Sequence, residues 1–183
     1  MTSCKREELI ESWDPERPLP IVFYPDSGGS WQGEPGPASL SQWGPFPFEH
    51  DGRSFPTAEH WMMHGKARLF GDHEMAEAIL RSRTPWQAKE YGRRVRGFDP
   101  AVWEVHAQAI VVEGNLLKFR QHPRFGAWLA STAPAVLAEA SPTDEIWGIG
   151  LSESDRAARD PRRWPGRNLL GFALMQVREK LNV

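Results

Sequence analysis

Signals for helix starts are dense in the middle of the chain. Thr57, Asp72, Thr84 and Asp99 are residue types whose side-chain oxygens cap helix N-termini. Proline directly follows Thr84 and Asp99, at the first helical position, where its missing N–H group costs nothing. We therefore predict four consecutive helices between residues 57 and 121. The last and longest, over residues 100–121, should pack inward along one stripe: Trp103, Ala107, Ile110, Gly114 and Leu117.

Shorter elements are predicted on both sides of this region. Asp51-Gly52 lies between apolar arms and predicts a tight hairpin over residues 46–55, and Asn168 is expected to cap a closing helix. The other predictions are strands at 21–24, 135–140 and 146–149, helices at 5–13 and 124–131, a flexible loop at 25–39 and a charged loop at 152–165. The fold class is α+β: a single compact, predominantly helical domain over residues 21–183 with a small β-sheet or hairpin, preceded by an N-terminal extension over residues 1–20.

Composition excludes several classes of protein. The formal net charge is only -2 and the sequence pI is about 6.3, so contact with a nucleic acid would have to be local. A single cysteine, Cys4, excludes an internal disulfide framework and a multi-cysteine zinc site. The charged N-terminus lacks the apolar core of a secretory signal, and no run of about 18 apolar residues occurs, so we expect a cytoplasmic protein.

The helix predicted after Thr57 carries two charges on its apolar stripe. With Glu59 at zero on the helical wheel, Lys66 falls within roughly 80° of it, beside Met62 and Met63. Seven residues separate the two charges by about 10.5 Å along the axis, so a direct ion pair is not guaranteed. Because burying an unpaired ion is costly, a cleft over both charges is one interpretation. The other is that Lys66 extends to solvent while Glu59 complements the helix N-terminus.

Metal, thiol and dinucleotide sites have less support. His60 and His64 are four residues apart, but they lie about 120° from the Glu59 stripe and lack the HExxH glutamate, so we expect no metal. Cys4 has no histidine nearby in the sequence, which disfavours a thiolate nucleophile. Neither GxGxxG nor GxxxxGK[ST] occurs, and we expect no cofactor.

Two stretches combine acidic, aromatic and small residues. Residues 143–150 place Asp144 just before Trp147, and residues 164–168 bring Trp164 to the start of the last helix. These groups suit a flat ligand that carries phosphate, whereas a turn acid and two core tryptophans are the structural alternative. The chain also has one dense basic cluster: Lys89, Arg93, Arg94 and Arg96. Such a cluster suits phosphates or is a solvated face.

Taken in order, these residues resemble the NADAR (YbiA-like) family of N-glycosidases over roughly residues 21–181. The matching elements are Phe23-Tyr24, Leu40-Ser41-Gln42-Trp43, Pro56-Thr57-Ala58-Glu59-His60, Lys66-Ala67, Gly92-Arg93, Trp103, Lys118-Phe119, Asp144, Trp147-Gly148-Ile149-Gly150 and Gly166-Arg167-Asn168-Leu169-Leu170-Gly171. The TxEH, DxxWGxG and GxNxLG elements are specific in combination. Gln42 replaces an expected Asn, and residues 62–64 replace a more polar stretch, departures that bear on substrate choice more than on reaction type.

The resemblance implies a small, largely helical α+β fold and hydrolysis of N-glycosidic bonds to ribose. Two substrate classes are associated with such domains: ADP-ribose joined to guanine, in a nucleoside or a nucleic acid, and ribosylamino-pyrimidine phosphates that are riboflavin intermediates. We favour the guanine conjugate, which a cognate ADP-ribosyltransferase in the same pathway would supply. The alternative from another class is a non-catalytic module that binds ADP-ribose. No membrane partner is expected.

The resemblance also implies residue roles. In both substrates ribose C1 is bonded to an exocyclic amine, so C1 can open to an imine that neutral Lys66 intercepts as a Schiff base. Glu59 and Asp144 would move protons, and Lys118 is the second candidate nucleophile. Trp103 and Trp147 would hold the base or ribose, and Arg93 and the helix start at Asn168 would face phosphate. The full set of expected substrate-binding residues is Trp103, Trp147, Gly148, Arg93, Asn168, Tyr24 and His60.

Overall fold

The fold is that of a computed structural model, which describes residues 3–14, 16, 20–23 and 33–181. The described residues form seven α-helices and four short strands: α1 (Ser3–Glu11), β1 (Ile21–Phe23), β2 (Phe48–His50), β3 (Arg53–Phe55), α2 (Ala58–Leu69), α3 (His73–Leu80), α4 (Pro85–Arg93), α5 (Pro100–Gln121), α6 (Pro123–Ser131), β4 (Leu137–Glu139) and α7 (Leu169–Leu181). This confirms the predominantly helical α+β class. Tyr24 and residues 25–32 of the predicted flexible loop lie outside the described residues.

Two structural units make up the chain. One consists of Met1–Ser41 together with Arg124–Val183, and the other is Gln42–Pro123. We call them the split unit and the central unit. In the part of the chain that the structure describes, no helix is long and apolar enough to cross a membrane.

All four predicted helix starts of the central unit are confirmed by their caps. The Thr57 hydroxyl accepts from His60 N, and the Thr84 hydroxyl accepts from Gln87 N. The carboxylates of Asp72 and Asp99 accept from the first-turn N–H groups of α3 and α5. Each cap satisfies donors that a helix end leaves without an internal partner.

The hairpin β2–β3 anchors helix α2. Asp51 and Gly52 both adopt positive φ, as the tight turn requires, and Phe48 lies opposite Phe55 in the antiparallel register. Both rings are 1% exposed, and burying each contributes about 2 kcal/mol. Trp61 packs edge-on against Phe55 with ring centroids 4.9 Å apart, so α2 is fixed to the hairpin through its second turn.

The inward face of α5 differs in part from the predicted stripe. Of the five predicted residues only Ala107 and Gly114 are fully buried, while the other three are half-buried. The remaining buried positions of the helix are Val111, Val112, Asn115, Lys118 and Phe119. Because this face includes an amide and an amine, a search for apolar periodicity misplaces it.

In the split unit, β1 runs parallel to β4 with Ile21 opposite Leu137, and α7 packs against β4. The tryptophan at the start of the last helix, Trp164, is 1% exposed and donates from Nε1 to the carbonyl of Ala158 over 2.9 Å. The structural interpretation is therefore correct for Trp164. The strand predicted at residues 146–149 is wrong, because none of these residues lies in a strand; residues 146–148 form bends whose carbonyls accept from the N–H groups of residues 168–170.

Candidate active site

Helix α2 holds both predicted catalytic charges of the central unit. Glu59 lies in its first turn and is 6% exposed, with its backbone N–H donating to the carbonyl of Gln42 over 3.0 Å. Lys66 lies in its last turn and is half-buried. Lys66 forms no ion pair with any carboxylate among the described residues, so the two charges are not neutralised by each other.

Two aromatic rings surround the Lys66 amine. Its Nζ lies 3.9 Å from the ring centroid of Phe98 and 5.7 Å from that of Trp103. Burial lowers the pKa of this amine from its ordinary value of 10.5. The amine therefore does not extend freely into solvent, and a larger fraction of it is neutral near physiological pH than for an ordinary lysine. Phe98 carries no sequence motif, and sequence reasoning did not identify it.

A buried polar pair underlies the first half of α2. Asn115 of α5 donates from Nδ2 to Oε1 of Gln42 over 2.9 Å, and Nε2 of Gln42 lies 3.9 Å from the sulfur of Met62. The position that departs from the family pattern is thus occupied by a residue with buried hydrogen-bonding partners. Asn115 was not singled out from sequence, although a polar residue on the inward face of a helix is a usable signal.

The second candidate nucleophile, Lys118, is a core residue. Its side chain has no solvent exposure, and Nζ lies 4.7 Å and 4.9 Å from the ring centroids of Phe46 and Phe119. Burial lowers the pKa of this amine to about 7. It has the chemistry of a nucleophile but lacks the access that a substrate needs.

The two histidines of α2 are buried separately. His60 is fully buried, with Nδ1 2.8 Å from the Thr57 hydroxyl and Nε2 3.3 Å from the carbonyl of Ser82. Burial lowers the pKa of His60, and burial together with the charges of Arg53 and Arg68 lowers that of His64 to about 4. Among the described residues no group of three His, Cys, Asp or Glu side chains could hold a metal ion.

The basic cluster is only partly engaged within the protein. Arg93 is exposed and forms an ion pair with Glu90, and Arg96 pairs with Asp72 and Glu74. Lys89 lies 5.8 Å from the ring centroid of Trp43. The same helix, α4, also presents a tryptophan to solvent, since Trp86 is 60% exposed.

In the split unit, Asp144 and Trp147 share one turn. The Oδ1 atom of Asp144 accepts from Ile146 N over 2.9 Å and from Trp147 N over 2.8 Å. Both side chains are half-buried, whereas Gly148 is buried and a Cβ there would meet the carbonyl of Asp144. The acid is thus a turn residue, as the structural interpretation holds, and its half-exposed carboxylate is also accessible to solvent.

Asn168 joins this turn to β4 rather than capping α7 with its side chain. It is fully buried at φ 55°, its Oδ1 accepts from Glu139 N over 3.1 Å, and its Nδ2 donates to the carbonyl of Leu137 over 2.8 Å. The backbone N–H groups of residues 168–170 donate to the carbonyls of residues 148, 146 and 147 in turn. Asn168 thus directly precedes α7 as predicted, and its carbonyl accepts from Phe172 N, but its side chain does not cap the helix, and these three N–H groups already have partners.

The predicted site residues thus fall into two sets. The central unit holds Glu59, His60, Lys66, Arg93 and Trp103, of which the structure brings Lys66 and Trp103 together. The split unit holds Asp144, Trp147, Gly148 and Asn168 in one hydrogen-bonded loop. Tyr24 lies outside the described residues.

Comparison with known proteins decides the family. The profile of the NADAR domain matches residues 31–182. The chain belongs to the NADAR family. It is 41% identical over 157 residues to an N-glycosidase of Acanthamoeba polyphaga mimivirus, covering 83% of this chain and 92% of the relative. It is 32% identical over 144 residues to N-glycosidase YbiA of Escherichia coli (strain K12), covering 79% and 81%.

Two further similarities concern the fold and a plant relative. The NMR structure of the Escherichia coli protein YbiA matches with a TM-score of 0.67 at 27% identity, covering 91% of this NADAR chain and 88% of that one. The chain is 32% identical over 136 residues to the chloroplastic riboflavin biosynthesis protein PYRR of Zea mays, covering 70% of this chain and 20% of the relative. The mimivirus and Escherichia coli relatives, which the match covers over more than four fifths of their length, are named N-glycosidases, which agrees with the expected hydrolase class.

Proposed function

We propose that this NADAR protein is an N-glycosidase that removes ADP-ribose from guanine, in a nucleoside or a nucleic acid, through a Schiff base on Lys66. The observation that carries the proposal is the setting of this amine. It is half-buried between Phe98 and Trp103, has no ion pair among the described residues, and shares helix α2 with the buried Glu59. The N-glycosidase names of the relatives support the reaction class.

The first half of the reaction forms the covalent intermediate. The C1–O4′ bond of the ribose breaks, O4′ takes up a proton, and C1 becomes double-bonded to the exocyclic nitrogen of the base. Neutral Lys66 Nζ then adds to C1 and passes a proton to the base nitrogen. The C1–N bond to the base breaks, the base leaves with its amino group intact, and C1 remains double-bonded to Nζ.

The second half restores the enzyme. Water adds to C1, the C1–Nζ bond breaks, and the open sugar closes to its ring. We assign Glu59 to the proton transfers of both halves, since a positioned carboxylate can give and take a proton in turn. Water exclusion around Lys66 favours the neutral amine that the attack requires, so the rate should rise as pH rises through the pKa of Lys66.

The remaining roles follow the family resemblance and stay predictions. We assign proton transfer to Asp144, and contact with the base or ribose to Trp103, Trp147 and Gly148. Because the side-chain atoms of His60 and Asn168 already have buried hydrogen-bond partners, we propose that these two residues position the backbone rather than contact the substrate. Tyr24 remains a predicted binding residue.

Helix α4 and the residues that flank it favour a polyanionic form of the substrate. Residues 81–96 contain six basic side chains and one acidic one, in a chain whose net charge is -2. Arg83 and Arg94 are exposed and form no ion pair within the described part of the chain, and Trp86 offers a face for stacking. Spaced guanidinium groups beside an exposed ring suit single-stranded nucleic acid. We therefore extend the expected role of Arg93 in phosphate binding to this helix.

A second candidate function is supported by the plant relative. Its name places it in riboflavin biosynthesis, and ribosylamino-pyrimidine phosphates carry the same C1 bond to an exocyclic amine. The two candidates differ in the base and in the sugar substituent, not in the chemistry at C1. A cognate ADP-ribosyltransferase and a cytoplasmic location remain predictions that accompany the first candidate.

The test compares product release from the two substrates. We expect the protein to release free guanosine and ADP-ribose from ADP-ribosyl-guanosine, detected by chromatography. Release only from the pyrimidine phosphate would favour the metabolic enzyme. Binding of the guanine conjugate without release would contradict the glycosidase and favour an ADP-ribose-binding module.

A further inference from the structure

Phe98 reaches the Lys66 amine from a short connection that has no regular structure of its own. The connection spans residues 94–99 between α4 and α5, and Gly97 within it adopts φ 70°, which favours glycine. The ring of Phe98 is 41% exposed, and within the central unit it is supported by the edge of Phe70 at a centroid distance of 5.3 Å. Such a connection needs an anchor if its aromatic ring is to stay over the amine.

That anchor is the carboxylate of Asp72. Its Oδ2 accepts from the backbone N–H of Arg96 over 2.9 Å and from Arg96 Nε over 3.1 Å, and its Oδ1 accepts from Arg96 Nη2 over 2.6 Å. A bidentate arginine fixes direction as well as distance, and here the backbone of the connection is held too. The Asp72 side chain is 1% exposed, and the partner lowers the pKa of its carboxyl group well below the usual range.

Asp72 is itself tied to the end of helix α2. Its backbone N–H donates to the carbonyl of Ala67 over 2.9 Å, one residue after Lys66. A closed chain of contacts therefore runs from Lys66 through Ala67, Asp72 and Arg96 to Phe98, and returns to the amine of Lys66 over 3.9 Å. Every link lies within the central unit.

We propose that the Asp72–Arg96 ion pair holds the ring of Phe98 over the Lys66 amine, and that Phe98 and Arg96 are thereby positioning residues for the amine to which the proposed function assigns the covalent step. The expected consequence is that the ring of Phe98 excludes water from one side of the amine. The inference rests on the proposed function only for its catalytic readout, since the position and protonation of Lys66 can be measured without turnover.

The charged groups near α2 do not explain the lowered pKa of Lys66. Burial is the physical cause that lowers the pKa of Lys66. Asp72 is bound to Arg96, and Asp99 accepts from the first N–H groups of α5. Glu74 pairs with Arg96, Glu90 pairs with Arg93, and Arg68 lies beside His73. Removing the apolar wall should therefore raise the pKa of Lys66.

The direct test measures the pKa of Lys66 in the full chain by NMR after reductive ¹³C-methylation of lysines, with the Lys66 signal assigned from Lys66→Arg. We expect Phe98→Ala to raise this pKa, since water then reaches the amine. Phe98→Leu keeps an apolar wall and should restore most of the shift. Arg96→Ala should raise the pKa in the same direction by a smaller amount, and Arg96→Lys should rescue it only in part because lysine cannot bind both oxygens.

The matched control is Arg162→Ala. Arg162 makes a comparable bidentate pair with Asp160 in the split unit, through Nε and Nη2 at 2.8 Å each. Its loss should leave the pKa of Lys66 unchanged. Thermal unfolding of each variant confirms that the fold is retained, and Phe98→Leu serves where Phe98→Ala is too unstable.

The catalytic readout is the rising limb of kcat/KM against pH on ADP-ribosyl-guanosine. For Phe98→Ala this limb should move to higher pH. At a fixed pH on the limb, kcat/KM should fall about tenfold for each unit by which the pKa of Lys66 rises, and most of this loss should be in kcat. A folded Phe98→Ala variant whose Lys66 pKa matches that of the wild type would overturn the inference. Failure of the proposed function would look different, because the wild-type protein would then release no guanosine, or Lys66→Ala would retain turnover, whatever the NMR titration shows.

Discussion

Two lysines of the central unit lie against phenylalanine rings, and they differ in what else can reach them. Lys118 is fully buried between Phe46 and Phe119, and burial lowers the pKa of its amine to about 7. Lys66 is only half-buried, and its pKa is lowered by the same physical cause. Burial therefore favours the neutral amine at both positions, but only Lys66 combines this with exposure to solvent.

The difference shows that a perturbed pKa by itself does not identify a nucleophile. The deeper lysine has the clearer shift, yet a substrate cannot reach an amine without solvent exposure unless the core opens. Access requires an amine that is open to solvent, whereas a lowered pKa requires an amine shielded from water. The rings of Phe98 and Trp103 shield the Lys66 amine only in part, which meets both requirements. Four experiments test this difference between the two lysines.

The largest expected effect is on covalent chemistry. Lys66→Ala should lower kcat/KM for ADP-ribosyl-guanosine by roughly a thousandfold or more, because the Schiff base cannot form. Borohydride added during turnover should attach the sugar to Lys66, as located by peptide mass spectrometry. Lys118→Met, which preserves the side-chain volume, should change kcat/KM by no more than about threefold. Sugar found on Lys118 would reverse the comparison.

Removal of the acid on α2 should have the next largest effect. Glu59→Gln keeps the shape of the side chain but abolishes proton transfer, so kcat should fall by about a hundredfold or more while KM changes little. Steady-state kinetics with the nucleoside measure both constants, and Asp144→Asn tests the second predicted proton carrier in the same assay. A Glu59→Gln enzyme with wild-type kcat would remove Glu59 from the mechanism.

The third experiment concerns stability and pH. The folded chain holds the Lys118 amine at a pKa of about 7, against 10.5 for an ordinary lysine. Between these values the unfolded chain binds a proton that the folded chain does not, so the free energy of unfolding should rise with pH by up to about 1.4 kcal/mol per unit. Below pH 7 the full cost of charging the buried amine applies.

Urea unfolding of wild type and Lys118→Met between pH 7 and pH 10 measures this contribution as a difference of slopes. We expect the rise with pH to be steeper in the wild type than in Lys118→Met. Equal slopes would show that the Lys118 amine stays protonated in the folded state. Its catalytic exclusion would then rest on access alone.

The smallest expected effect lies on helix α4. The double substitution Arg93→Ala/Arg94→Ala should raise KM for an ADP-ribosylated oligonucleotide by about three- to tenfold at low salt, with Arg156→Ala as the control. A rise confined to the oligonucleotide assigns the helix to the nucleic-acid backbone. A rise shared with the nucleoside assigns it to the pyrophosphate. No rise with either substrate would leave the helix a solvated face.

Local side-chain chemistry made much of the fold predictable. The four caps of the central unit and the Asp51-Gly52 turn depend on interactions between residues only a few positions apart, so sequence alone located them. Residues 146–149 were predicted wrongly as a strand, because their apolar character resembles one and their hydrogen bonds go to residues about twenty positions away.

The candidate site was predictable only where spacing or a motif identified its residues. Helical spacing and the family pattern identified Glu59 and Lys66. Phe98 lies in an irregular connection, where no periodicity applies, and its place over Lys66 depends on the long-range pair between Asp72 and Arg96. Asn115 was missed because its buried partner, Gln42, is 73 residues away in the chain.

The bonds between the turn at residues 146–148 and the start of α7 have an evolutionary consequence. Two of the family motifs, DxxWGxG and GxNxLG, meet there, and the Asn168 side chain hydrogen-bonds to the backbone of β4. Lys66 belongs to the central unit and takes no part in these bonds. On the proposed role of Lys66, relatives that keep both motifs but lack this lysine should therefore fold normally, be recognised as members of the family, and have no glycosidase activity.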